Sequence, residues 1–242
     1  MKRPIHVVLF DLGGTLFFDD PAQWPDTYRQ AEDALWSSLR ESGVRAKPEA
    51  VYRGEDSFLQ YYYRLRATGL DEPGAGRVLR ELLARRRIVV PESSLRKALQ
   101  SMYATTQANW HLETDSRRTL EQLRSGGLRL GVVSNGSDDD NARSLLEKAE
   151  LLDVLEFVLT SAAFGRRKPD PAIFRAALHH FEVAPALSAM VGDNYEADIV
   201  GANRVGMSTV WITRRIAEPA TLPQMQPTAK VSTLAEIPAL LL

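Results

Sequence analysis

The chain has 242 residues, enough to bury a substantial core, with 30 Lys and Arg against 31 Asp and Glu. A net charge of −1 offers no polyanion-binding surface, so no nucleic-acid partner is expected. The absence of cysteine removes disulfides, thiolate metal sites and cysteine nucleophiles together.

Val7, Val8, Leu9 and Phe10 make an apolar run of the kind a strand buried on both faces requires. The run stops at Asp11, and Gly13, Gly14 and Thr15 follow. A buried strand delivers Asp11 to the carboxyl edge of the sheet, where open α/β sheets bind ligands. The glycines let the backbone turn so that its amides can face an anion. A helix-capping aspartate would explain this stretch equally well when it is read alone. The strand starts too near Met1 to leave room for a signal peptide, and no apolar run approaches the ~20 residues that span a bilayer. The expectation is a soluble cytoplasmic protein, monomer or homodimer, with no membrane partner.

Phe17-Phe18-Asp19-Asp20-Pro21 reads as a turn, and residues 18–106 as a four-helix insertion. Ala31, Leu35, Trp36 and Leu39 recur at helical spacing, as do Phe58, Leu59, Tyr62 and Leu65. Further helices are expected over Gly76–Arg87 and Ser93–Thr106. Arg85-Arg86-Arg87 suits a solvated helix end favoured by the dipole, with phosphate binding as the sharper alternative. Tyr61-Tyr62-Tyr63 cannot all point one way on a helix, so some must face away from the bundle.

From Asp115 helix and strand alternate. Leu120 and Leu123 mark a helix that stops at Gly126-Gly127, and Leu128–Val133 is a strand running into Ser134-Asn135-Gly136. A hydroxyl at a strand end, followed by amides and a helix start, suits an oxyanion, although capping alone would account for it. After a short strand at Phe157–Thr160 comes GRRKPDPAIF, Gly165 to Phe174. Pro169 keeps Lys168 out of the α region, and Asp170-Pro171 starts a helix. A lysine held there can bind a charge cluster together. The strand Ser188–Val191 ends in Gly192-Asp193-Asn194, with Asp198 in the first turn of the next helix. Two carboxylates so placed suit a hard cation such as Mg2+. Thr209–Thr213 is a further strand, a loop spans Arg214 to Pro227, and Lys230-Val231 and a terminal helix close the chain. His179-His180 fall on a helix surface, and His6 and His111 have no partner spaced to suggest a metal or nucleophile pair.

Asp11, Ser134, Lys168 and Asp193 thus stand at or beside successive strand ends. In this order FDLGGTL, VVSNG, GRRKPDPAIF and VGDNYEADIVGANRVGM resemble the motifs of the haloacid dehalogenase-like (HAD) hydrolase superfamily, most of whose members are phosphatases. The resemblance implies an α/β fold with a doubly wound, mostly parallel, Rossmann-like sheet over residues 1–17 and 107–242. The helical insertion has the position and character of that superfamily's mobile cap. By the same resemblance Asp11 is the nucleophile that becomes an aspartyl-phosphate, and Thr15, Ser134 and Asn135 with nearby amides hold the phosphoryl oxygens of a small phosphorylated substrate. Lys168 neutralises charge between them. Asp11, the backbone carbonyl of Gly13, Asp193 and Asp198 hold Mg2+. Carboxylate attack on an anionic phosphate does require positive charge to offset several kcal/mol of repulsion at ~3.5 Å.

One residue departs from the pattern. In D-x-D-x-T the second acid protonates the leaving group and activates water, and here Gly13 replaces it. General acid–base assistance is worth ~10²–10⁴-fold, so turnover should be slow unless another acid substitutes. Asp19, Asp20 or an acid of the insertion is a candidate, and an acyl phosphate, with its good leaving group, would need less help. Three functions remain open: a Mg2+-dependent phosphatase, a metal-independent 2-haloacid dehalogenase in which the aspartate attacks carbon, and a non-catalytic phospho-ligand binder.

Overall fold

The computed structural model describes residues 4–44, 57–216 and 225–242. In chain order the elements are β1 (Val7–Phe10), β2 (Phe17–Asp19), α1 (Trp24–Glu41), α2 (Phe58–Arg66), α3 (Ala75–Arg85), α4 (Glu92–Gln107) and β3 (Trp110–Leu112). There follow α5 (Ser116–Ser125), β4 (Arg129–Ser134), α6 (Asp139–Lys148), β5 (Phe157–Thr160), α7 (Ser161–Phe164) and α8 (Pro171–His180). The chain closes with β6 (Ser188–Gly192), α9 (Gly201–Val205), β7 (Ser208–Ile212), β8 (Ala229–Val231) and α10 (Ile237–Leu241). It divides into two units, Met1–Phe18 with Leu112–Leu242, and Asp19–His111.

The first unit is an α/β fold on a six-stranded sheet in the order β5-β4-β1-β6-β7-β8, with every neighbouring pair parallel. β1 lies inside the sheet, and its four apolar residues are fully buried. Val7 and Leu9 pack with Ile173, Phe174 and Ala177 of α8 and Ala202 of α9, while Val8 and Phe10 alternate to the opposite face. Each such side chain contributes about 1.5–3 kcal/mol by leaving water. Phe10 pairs with Val132 on one side and Val191 on the other, so the strands end at one level. The chain fills the sheet on the β4 side of β1 first and on the β6 side second. β1 therefore flanks the point of reversal, where such sheets bind ligands.

Local chemistry sets the ends of the elements. Asp170 caps α8 by accepting from Ala172 N–H at 2.8 Å, with Pro171 as first residue, as the sequence predicts. His179 and His180 are exposed at its far end, and His180 stacks on Phe157.

The second unit has α1 to α4 around one core that includes Leu35, Trp36, Tyr61, Tyr62, Leu79 and Met102. Of the three consecutive tyrosines, Tyr61 and Tyr62 are buried and Tyr63 is 49% exposed. Arg85 lies over the Tyr61 ring and Arg86 over Trp36, so these two arginines pack on aromatic faces. Glu32 of α1 is buried and accepts from Leu59 N–H at 2.9 Å, capping α2 from a neighbouring helix.

Two differences from expectation concern the crossings between the units. Phe17–Asp19, expected as a turn, is a strand paired with Trp110–Leu112. The turn comes one step later, where Asp20 accepts from Ala22 N–H at 3.0 Å and starts a 3₁₀ turn at Pro21–Gln23. Three-residue strands carry too little alternation to be read from sequence. The second compact unit spans Asp19–His111. On the return, Glu113 N–H and Ser116 Oγ both donate to Leu16 O, at 3.0 and 2.8 Å, and the buried Glu113 carboxylate accepts from Arg214 and Arg215. Of the loop expected over 214–227, residues 217–224 lie outside the described residues.

Candidate active site

Asp11 directly follows β1. Its N–H donates to Val191 O at 2.9 Å, so ladder bonding continues one residue past the strand and fixes the backbone that carries the carboxylate. The loop then doubles back, with Leu16 and Phe17 N–H both donating to Leu12 O at 2.9 Å. Gly14 adopts φ +75°, and a Cβ there would fall 2.1 Å from Asp193 Oδ2. Both the backbone and the approach of this carboxylate require glycine. Gly13 lies in the same loop and bridges to Phe17. Thr15 is 1% exposed, and among the described residues its hydroxyl has no hydrogen-bond partner. A buried polar atom left so is costly, and a ligand oxygen reaching it would restore the bond.

Ser134 ends β4 and is buried. The next side chain, Asn135, turns to the loop before α8. Its Oδ1 accepts from Lys168 N–H at 2.8 Å and its Nδ2 donates to Lys168 O at 3.0 Å. The Lys168–Pro169 peptide is cis. The Lys168 ammonium, 1% exposed, donates to Asp11 Oδ1 at 2.7 Å and lies 2.6 Å from Asp198 Oδ1. Burial alone would lower its pKa, but the charges of Asp11 and Asp198 more than offset this and raise it, so the lysine is a fixed cation.

Asp193 follows β6, and the indole N–H of buried Trp211 on β7 donates to its main-chain O at 2.7 Å. Asp198, expected in the first turn of an α-helix, sits instead in a π-helical turn, Tyr195–Val200. Such turns recur at functional sites. Asn194 N–H donates to Asp198 Oδ2 at 3.0 Å, and a Cβ on Gly192 would lie 2.2 Å from that oxygen.

Asp11, Asp193 and Asp198 each offer an oxygen within 4.8 Å of the others. Three carboxylates against one ammonium leave two negative charges in excess. Burial first, and the neighbouring carboxylates second, push Asp193 up to about 7; burial likewise raises Asp198, against the opposing pull of Lys168. This donor set fits a hard divalent cation: all oxygen, and charged to match.

Two of the candidate replacement acids have partners of their own. Asp20 is half-buried and accepts from Gln23 Nε2 at 2.9 Å and from Ala22 N–H, bonds that lower its pKa and make it a poor proton donor. Asp19 accepts the Trp24 indole N–H. The Asn135 amide bridge and the Trp211 indole bond were missed in the sequence. Each joins residues far apart in the chain, and neither leaves a local pattern.

Residues 5–206 match the family model for haloacid dehalogenase-like hydrolase. A phosphoserine phosphatase of Thermus thermophilus is 30% identical over 254 aligned positions, covering 96% of this chain and 98% of that one. Haloacid dehalogenase-like hydrolase domain-containing protein 3 of Bos taurus is 43% identical over 103 residues, 43% of this chain and 40% of that protein. Among solved structures, a 2-haloacid dehalogenase from Pseudomonas syringae superposes with a TM-score of 0.71 at 25% identity, covering 98% of both chains. A HAD phosphatase from Thermococcus onnurineus gives 0.65 at 26%, again over 98% of both. The chain belongs to the haloacid dehalogenase-like hydrolases.

Proposed function

We propose that the protein is a Mg2+-dependent phosphohydrolase of a small phosphorylated metabolite, working through phosphorylated Asp11. The observation that carries this reading is the meeting of Asp11, Asp193 and Asp198 within 4.8 Å, with the Lys168 ammonium against Asp11 and Asp198. A cation at these carboxylates, with the Gly13 carbonyl as a further ligand, supplies charge that offsets the anionic phosphate when bound. Lys168 holds one Asp11 oxygen, which orients the carboxylate and leaves the other oxygen to attack phosphorus. Thr15 Oγ, Ser134 Oγ and the loop amides receive the phosphoryl oxygens. As the bond from Asp11 to phosphorus forms, the bond from phosphorus to the leaving oxygen breaks, and that oxygen takes its proton from solvent. Water then releases phosphate and regenerates the carboxylate.

Gly13 offers no proton at either step, and Asp20 is held ionised. The favoured substrate is therefore one whose leaving oxygen needs little help, such as an acyl phosphate. The insertion is proposed to act as the cap that selects it. Relatives named as phosphatases support the reading. The likeness to a 2-haloacid dehalogenase favours a second one, attack of Asp11 on carbon. That chemistry does not demand Asp193 together with Asp198 beside the nucleophile.

Hydrolysis of acetyl phosphate and p-nitrophenyl phosphate, each with and without Mg2+, tests the proposal. Turnover that requires Mg2+ and disappears in Asp11→Asn supports it. Chloride release from 2-chloropropionate without metal, and no phosphate release, would replace it with the second reading.

A further inference from the structure

The Asn135 amide bonds both backbone polar groups of one residue 33 positions away, at 2.8 and 3.0 Å. That residue, Lys168, lies between α7 and α8 and draws on no helix or strand for these bonds. Its side chain carries the buried cation of the site. Asn135 itself continues directly from Ser134 at the end of β4, a strand paired on both sides. The far side of the turn is braced as well, because Gly136 O accepts from Ser161 Oγ and Ala162 N–H, both at 3.1 Å.

We propose that Asn135 is a positioning residue: its amide sets the spacing between the Ser134 hydroxyl and the Lys168 ammonium, and so the width of an oxyanion pocket. The inference rests on the phosphoryl pocket proposed above and gives this side chain a role distinct from touching the ligand. A lysine stem has four rotatable carbons, so an ammonium is only as well placed as the backbone beneath it. Pro169 has no N–H, and Asp170 N–H closes the turn locally on Arg167 O at 2.9 Å, so the two groups of Lys168 are free to bond across to Asn135. A planar amide offering one donor and one acceptor in fixed register matches them. A misplacement near 1 Å in such a site costs on the order of 10²-fold in rate.

The test uses the full chain, with inorganic phosphate and Mg2+ as separate calorimetric probes and the melting temperature as a third readout. Asn135→Ala removes both bonds, while Asn135→Asp keeps the acceptor, loses the donor and preserves shape. In both variants phosphate affinity, measured at saturating Mg2+, is expected to fall about tenfold or more, and kcat with it. Mg2+ affinity should hold near wild type, and melting temperature should fall by no more than about 2–8 °C, the cost of the lost bonds. Phosphate affinity that is unchanged, or that falls only in step with Mg2+ affinity and melting temperature, would overturn the proposal. If Asn135→Ala does not fold, Asn135→Asp is read by the same titrations, and loss of fold in both counts against a positioning role. A wild-type protein that takes up no phosphate overturns the pocket itself, whereas equal binding by wild type and variant overturns only the role of Asn135.

Discussion

Gly14→Ala perturbs the acidic cluster without removing any charge. The new methyl group would lie 2.1 Å from Asp193 Oδ2 and 2.4 Å from its Cγ. Reaching the 3.4 Å of ordinary contact displaces that carboxylate by about 1.3 Å within the acidic cluster. Displacing a metal ligand's support costs about 10- to 100-fold in affinity, and this shift is large enough to reach that range. The backbone adds a separate effect, since φ +75° costs alanine about 1–2 kcal/mol, or about 2–8 °C in melting temperature for a chain of this size. Gly127→Ala is the control, because Gly127 has φ +87° with nothing within 4 Å of a Cβ. Both variants should melt lower, while calorimetric titration with MgCl2 should find weakened binding in Gly14→Ala alone. Mg2+ affinity within twofold of wild type in Gly14→Ala would refute the placement of a cation beside Asp193.

Other expectations follow from the same geometry. Lys168→Met strips Asp11 and Asp198 of a buried partner, so urea titration at neutral pH should find a loss of about 3–5 kcal/mol; a loss under about 1 kcal/mol would contradict the ion-pair account. Trp211→Phe leaves the Asp193 carbonyl without its indole donor, and Mg2+ affinity should drop about tenfold, whereas unchanged affinity would make that bond irrelevant to the site. Glu32 has its pKa raised by burial, against the pull of the Leu59 N–H. The folded state therefore binds more protons than the unfolded one, and stability falls as pH rises from the ordinary glutamate value of 4.5 through the folded pKa. Glu32→Gln should flatten that slope in urea midpoints across pH 5, 6 and 7, and an unaltered slope would assign the pH dependence elsewhere.

The strand ends were the most legible part of the chain. Val7–Phe10 is apolar at every position because β1 lies between β4 and β6, and a fully buried strand leaves that mark. The residues that follow such runs, Asp11, Ser134 and Asp193, therefore stood out, and Lys168 stood out through the proline after it. The pairing of Phe17–Asp19 with Trp110–Leu112 was not legible, because it is short and closes a separation of some ninety residues. The π-helical turn that carries Asp198 was equally hidden. It differs from an α-helix by hydrogen-bond register, and the composition of YEADIV does not encode that choice locally. Side-chain bonds to distant backbone, from Asn135 to Lys168 and from Trp211 to Asp193, arise only once the sheet has brought the loops together.

Gly13 gives the central claim its most direct test, because a site lacking the second acid should be slow to hydrolyse its own phosphoenzyme. Acid quenching during turnover of acetyl phosphate, followed by peptide mass spectrometry, should find one phosphoryl group on Asp11 that requires Mg2+ and is absent from Asp11→Asn. A protein that releases phosphate steadily with Asp11 unmodified, or that keeps its activity in Asp11→Asn, would contradict the account.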